Sequence, residues 1–346
     1  VRVLPDEPSW WYSDPPSALA VCLQPVGALY GWVSKARFAR VEPYRSRLPV
    51  VCVGNLTAGG TGKTPLTIYL CEHCKVAGHE PVVLTRGYGG RIAGPYWVNA
   101  KLDTASAVGD EALLLARTAP THVARNRPAG ARAIESGPHP VTLIVMDDGL
   151  QNPGLVKDLT LAVVDGWRGL GNGRVIPAGP LRAPLDFQLD LTDAVIVNEP
   201  AGSEETEITA WLRRRFAGPV LRASVVPAGD PSWLTDARVV AWAGIGAPQR
   251  FFSLLARLGA QLAKTVAFRD HQPVAEKDAR ALLEAARQLD AMLVTTEKDL
   301  ARLTGAAGLP RELASACRVL PVKLQFAEAD AERLSVLLDA ALAQRR

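Results

Sequence analysis

Lys63 and Thr64 close a glycine-rich run, VGNLTAGGTGKT (residues 53–64), whose residue types and order suit the handling of a polyphosphate. Thr57, Ala58, Gly59, Gly60, Thr61 and Gly62 can turn successive backbone N–H groups inward around an anion, because the three glycines accept left-handed geometry. The helix that follows adds its positive dipole end. Lys63 can then reach the outer phosphates, and the Thr64 hydroxyl can hold Mg²⁺. The usual pattern opens with glycine where this chain has Thr57, and Gly54, three residues earlier, is a candidate for the exit turn from the strand instead. Downstream, the apolar strand VTLIVM (residues 141–146) delivers Asp147 and Asp148 to the sheet edge, the second half of such a site. Asp147 suits Mg²⁺ or its water, and Asp148 is then free to meet a substrate proton. Two further carboxylate and imidazole positions stand out. Asp110 and Glu111 precede an apolar helix at its positive end, where capping alone would also explain them. His271, beside Asp270 at the end of FRDH, suits either an acid/base partner across an interdomain cleft or a structural histidine. Cys71, His73 and Cys74 share a helix without a second pair at ligand spacing, so they read as ordinary helix residues.

These residues need a scaffold that brings strand ends to one edge. Apolar runs ending near Val53, Thr85, Met146, Val164 and Val197 alternate with helical stretches, the pattern of an α/β fold with a P-loop NTPase-like, mostly parallel sheet flanked by helices. With 346 residues the chain has room for two cores. Turn formers near 227–234 mark a boundary, giving an N-terminal arm and membrane-interface segment (1–47), a P-loop domain (48–230) and a smaller α/β domain (231–346). The arm carries Pro5, Pro8, Trp10 and Trp11. Residues 18–33 are almost wholly apolar but too short to span a bilayer, are interrupted by Pro25 and Gly27, and are followed by Lys35, Arg37, Arg40, Arg45 and Arg47. That order suits a segment lying in a membrane interface, or a buried helix with a solvated basic face. Five cysteines point to a reducing compartment, and a mild net charge of +4 gives no sign of nucleic-acid binding.

Taken together, VGNLTAGGTGKTP (Val53 to Pro65), TRGYGG (Thr85 to Gly90), GDE (Gly109 to Glu111), DDGLQ (Asp147 to Gln151), DGWRGLGNGRVIPAGPLR (Asp165 to Arg182), FRDHQ (Phe268 to Gln272) and TTEKD (Thr295 to Asp299) resemble the tetraacyldisaccharide 4'-kinases, the lipid A 4'-kinases of Gram-negative bacteria. The resemblance covers most of the chain. It implies transfer of the ATP γ-phosphoryl group to the 4'-hydroxyl of a tetraacyldisaccharide 1-phosphate at the cytoplasmic face of the inner membrane, by a peripheral or monotopic enzyme. It also implies that Asp110 and His271 act as a catalytic pair, with Asp110 taking the hydroxyl proton late, and that Asp147 and Asp148 belong to the Mg²⁺ and phosphate site. Lys63 serves the β/γ-phosphates. The implied partners are the glycolipid and the membrane surface, with no protein partner. This chain departs from the family in Asn152, where many members have histidine, and in Gln272.

Two rival readings fit less well. A partitioning or switch ATPase carries a lysine near the start of its phosphate loop, where Ala58 stands. A GTP-dependent metal chaperone needs a guanine-selecting motif that TTEKD does not supply.

Overall fold

The structure is a computed structural model that describes residues 7–343, so Pro5 and the rest of the first six positions of the expected arm lie outside the described residues. Thirteen strands among them form two sheets. They are β1 (Val50–Asn55), β2 (Pro81–Thr85), β3 (Tyr96–Trp97), β4 (Thr121–Val123), β5 (Leu143–Asp147), β6 (Leu159–Asp165), β7 (Ala194–Glu199), β8 (Val220–Pro227), β9 (Arg238–Ala243), β10 (Gln261–Ala267), β11 (Met292–Thr295), β12 (Cys317–Val319) and β13 (Val322–Phe326). The larger sheet runs β13-β8-β7-β6-β1-β5-β2-β4-β3, and only its edge strands β13 and β3 pair antiparallel. The smaller runs β10-β9-β11-β12, all parallel.

The central strands are buried along their whole length because helices cover both faces, which is why they read as continuous apolar runs without alternation. Parallel order puts the carboxyl ends of β1, β2, β5, β6 and β7 on one edge, where open α/β sheets bind ligands.

The smaller unit does not keep the expected bounds of 231–346. Its sheet ends at β12, after which β13 returns to pair with β8 of the larger sheet. The helix Glu328–Ala343 follows it and packs Leu334, Leu338, Ala341 and Leu342 into the same core as Leu66 and Leu70 from the helix after the phosphate loop. Periodicity alone could not show which sheet a late strand would join.

The N-terminal segment also differs from expectation. Residues Ala18–Arg40 form one helix, capped by Ser17, whose hydroxyl accepts from the Ala20 N–H at 3.2 Å, and Pro25 lies within it. Gly27 and Gly31 sit one turn apart and do not break it. A methyl group on Gly27 would lie 2.6 Å from the Val175 carbonyl oxygen, and one on Gly31 would lie 2.8 Å from the Pro184 ring, so both serve close docking on the 166–184 loop. The opposite side leaves Leu19, Val21, Val26, Leu29, Tyr30, Trp32 and Val33 exposed. No helix among the described residues is long and apolar enough to cross a membrane.

Leu338→Ala opens a cavity in the core of the larger sheet and is expected to lower unfolding free energy by about 2–5 kcal/mol in denaturant titration. A loss below about 0.5 kcal/mol, the range of surface substitutions, would show that the C-terminal helix does not belong to that core.

Candidate active site

The phosphate loop leaves β1 and enters the helix Lys63–Val76. Gly59 and Gly62 hold φ of 101° and 102°, a region closed to most side chains, and so let the chain double back. Asn55 staples the turn by donating to the Gly59 carbonyl at 3.1 Å and accepting from the Thr61 hydroxyl at 2.5 Å. The Asn198 amide at the end of β7 donates to the Thr61 carbonyl. Thr57, in the place of the usual first glycine, is buried and pairs with Leu181, while the Ala58 N–H donates to the Pro180 carbonyl. Gly54 is not the exit turn. It lies inside β1, and a methyl group there would come within 2.4 Å of Leu150 Cβ, so packing demands glycine.

Asp147 and Asp148 emerge at the end of β5 with opposite electrostatics. Asp148, at a positive φ of 51°, receives Arg182 Nη1 at 2.6 Å and Lys63 Nζ at 3.3 Å. Burial alone would raise its pKa, but the two cations outweigh that and hold it well below the ordinary carboxylate value. Asp148 is therefore a clamped anion and not the free proton acceptor expected from its position. Asp147 accepts from the Thr85 hydroxyl at 3.1 Å and lies 3.5 Å from that of Thr67. Arg127 reaches only its backbone carbonyl. Burial, followed by the neighbouring charge of Glu111, pushes the Asp147 pKa up. A buried carboxylate short of positive charge, with the Thr64 hydroxyl on the adjoining helix start, is a hard-oxygen donor set that fits Mg²⁺. Among the described residues no three His, Cys, Asp or Glu side chains form a metal cage.

A second cluster spans the cleft between the two sheets. Gly90 and Gly109 let the TRGYGG turn lie against the start of the helix Asp110–Leu115, since a methyl group on either would come within 2.6 Å of the other segment's backbone. This contact fixes Asp110, which is 5% exposed. His271 Nδ1 lies 3.0 Å from Asp110 Oδ1 and 3.1 Å from Oδ2, and Arg302 Nε donates to Oδ2 at 2.6 Å. His271 does not end a strand as FRDH suggested. It follows β10 in a turn with φ of 59°, a strained conformation for an imidazole-bearing residue that the surrounding contacts must enforce. Its Nε2 faces Lys298 Nζ at 3.3 Å. An ammonium only donates, so Nε2 accepts and the ring proton sits on Nδ1, pointing at Asp110. Lys298 also bonds Glu111 and Asp270, at 3.1 and 3.3 Å, and these carboxylates raise its pKa against the effect of burial. For Asp110, burial opposes ionisation, yet His271, Lys298 and Arg302 hold its pKa well below the usual range.

The structure thus brings Lys63 to Asp148 and Asp110 to His271. Glu111, next to Asp110 and close enough to Asp147 to raise its pKa, links the two clusters. Sequence reasoning gave no role to Lys298, Arg302 and Arg182, and read Glu111 only as a helix-start residue. The first two sit one helical turn apart on Glu297–Arg302, and that i, i+4 spacing within and beyond TTEKD was the available signal. Asn152 spends its side chain locally, accepting from the Gly154 N–H at 2.9 Å.

A phosphate loop on a parallel sheet, with a lysine and paired carboxylates at its mouth, defines a P-loop phosphotransferase fold. The family model for LpxK, tetraacyldisaccharide-1-P 4'-kinase, matches residues 19–343. The chain is 46% identical over 344 residues to a tetraacyldisaccharide 4'-kinase of Nitrobacter winogradskyi, covering 98% of this chain and 99% of that one. It is 47% identical over 319 residues to one of Rhodopseudomonas palustris, covering 92% and 93%. The crystal structure of the "apo" form of LpxK from Aquifex aeolicus in complex with ATP superposes with a TM-score of 0.71 at 22% identity, over 94% of this chain and 99% of that one. The chain belongs to the tetraacyldisaccharide 4'-kinase family, and is a kinase of lipid A biosynthesis.

Asp110→Asn leaves Arg302 and Lys298 beside a neutral group and is expected to cost about 3–5 kcal/mol of unfolding free energy at pH 7. The Asp110 pKa is lower folded than unfolded, so its stabilisation is present above the unfolded value of about 4 and is lost as pH falls below it. The parent and variant should therefore converge in acid, and an equal gap at pH 7 and pH 3 would contradict the charge balance described.

Proposed function

We propose that this chain transfers the γ-phosphoryl group of ATP to the 4'-hydroxyl of a tetraacyldisaccharide 1-phosphate, with Mg²⁺, at the cytoplasmic face of the inner membrane. The observation that carries this reading is the Asp110–His271 pair, joined across the cleft, with the charge of neighbouring Glu111 felt by Asp147 of the phosphate site.

Phosphoryl transfer passes through a loose transition state, so positioning and charge neutralisation do most of the work. Lys63 serves the β/γ-phosphates, and the N–H groups of residues 59–62 hold the β-phosphate, the Ala58 N–H being spent on the Pro180 carbonyl. Asp147 and the Thr64 hydroxyl would hold Mg²⁺, which would supply charge neutralisation at the phosphates. Asp148, fixed by Arg182, holds Lys63 in place until the nucleotide arrives. The hydroxyl proton passes late to the Asp110–His271 pair. Both Asp110 oxygens already accept hydrogen bonds, so the acceptor hydroxyl displaces one of these donors and gives its proton to Asp110, with His271 orienting the carboxyl group. The domain reading that goes with this mechanism is an N-terminal arm and interface helix, a P-loop lobe that reclaims β13 and the last helix, and a smaller lobe carrying His271.

The exposed apolar side of Ala18–Arg40, with Trp32 63% exposed and Arg37 and Arg40 in the last turn, supports an interfacial helix that meets acyl chains while the sugars reach the cleft.

The test uses γ-labelled ATP, Mg²⁺ and detergent micelles of the tetraacyldisaccharide 1-phosphate. Label is expected in the lipid fraction and absent with Lys63→Ala. Asp110→Ala and His271→Ala should each lower kcat by about 10²–10⁴ with little change in KM for ATP, and the double variant should be no worse than the poorer single one. Free phosphate without labelled lipid would refute the acceptor assignment, and multiplicative losses would refute the pair.

A further inference from the structure

Glu7 rests on the phosphate loop. A methyl group on Gly59 would lie 1.8 Å from Glu7 Oε1, so the carboxylate touches the loop backbone where left-handed Gly59 exposes it. Glu7 Oε2 accepts from the Tyr12 hydroxyl at 2.7 Å and from Arg168 Nη1 at 2.6 Å. Oε1 is buried with no hydrogen-bond partner. Burial raises the Glu7 pKa against the opposing pull of Tyr12 and Arg168, and the charges of Asp270 and Asp165 add to the rise.

The segment is anchored just after this contact. Trp11 Nε1 donates to the Pro177 carbonyl at 3.0 Å, and the Asn172 backbone and side chain donate to the carbonyls of Trp11 and Trp10. Arg168 also donates to the Gly246 carbonyl at 3.0 Å, and a methyl group on Gly246 would lie 2.4 Å from the Gly60 nitrogen. One arginine therefore ties the arm, the 166–184 loop and the smaller lobe together over Gly59 and Gly60.

We propose that the N-terminal arm is an internal competitor of nucleotide: Glu7 occupies ground beside Gly59 that the phosphate chain needs, and ATP binds by lifting it. The inference rests on the reading of residues 57–64 as the nucleotide phosphate site. A triphosphate cradled by the loop would bring its charge against the Glu7 carboxylate at Gly59, so arm and triphosphate repel one another. The unpaired Oε1 makes the closed arm costly, which keeps it weakly held and releasable. Apparent nucleotide affinity is then the intrinsic affinity reduced by the fraction of molecules with the arm lifted.

Equilibrium binding of a non-hydrolysable ATP analogue with Mg²⁺ to the full chain tests this, using wild type, Glu7→Ala, Glu7→Gln and Lys63→Ala. Glu7→Ala is expected to tighten binding by about three- to tenfold, and Glu7→Gln by a smaller factor because it keeps the contacts and loses the charge. Unchanged or weaker binding by Glu7→Ala, with Lys63→Ala impaired, overturns the competing arm and leaves the nucleotide site standing. Wild-type affinity in Lys63→Ala overturns the nucleotide site, and the arm proposal with it.

Discussion

A carboxylate almost closed to water must be matched by positive charge, and Asp110 finds that charge on the other side of the cleft. Its own helix offers one backbone N–H, from Glu111, while Arg302, Lys298 and the Nδ1 proton of His271 all come from the smaller lobe. The sheets cannot drift apart without stranding the Asp110 anion, at a cost of roughly 3–5 kcal/mol for a broken buried pair, whereas Arg302 and Lys298 would keep Asp299 and Asp270 in their own lobe. The same contacts fix the His271 tautomer and enforce its left-handed backbone. Domain register and the placement of Asp110 and His271 are thus one constraint. A second interlobe pair, Arg250 with Asp165, works in the same sense on the far side of the phosphate loop.

The phosphate end of the site follows the opposite logic. Asp148 is saturated by Lys63 and Arg182 within the larger lobe, and Asp147, one residue away, is left with hydroxyl donors and a raised pKa. Adjacent carboxylates are driven apart by environment alone, one held as a permanent anion and the other short of a cation. That division assigns them different tasks without any difference in residue type.

Much of this was legible from residue order. The phosphate loop, the apolar strands that feed it and the carboxylates at the end of β5 are local patterns, fixed within a few residues by sterics and burial. The pairing of Asp110 with His271 was available only through family resemblance, because the two lie 161 positions apart and neither spacing nor composition joins them. Arg302 escaped notice for the same reason, since its partner is 192 positions away. Pro25 and Gly27 suggested a broken segment, but tertiary docking on Val175 and Pro184 overrides local propensity there and turns the glycines into contact points. The return of β13 to the larger sheet is likewise a tertiary choice, made by the core around Leu338.

The central claim, that Asp110 is balanced from the opposite lobe, is tested most directly by a double-mutant cycle in unfolding free energy with Asp110→Asn, Arg302→Met and the double variant. The expected result is a coupling of about 2–3 kcal/mol, the double variant losing far less than the sum of the single losses. Losses that add to within about 0.5 kcal/mol would contradict it, and the lobes would then owe their register to other contacts.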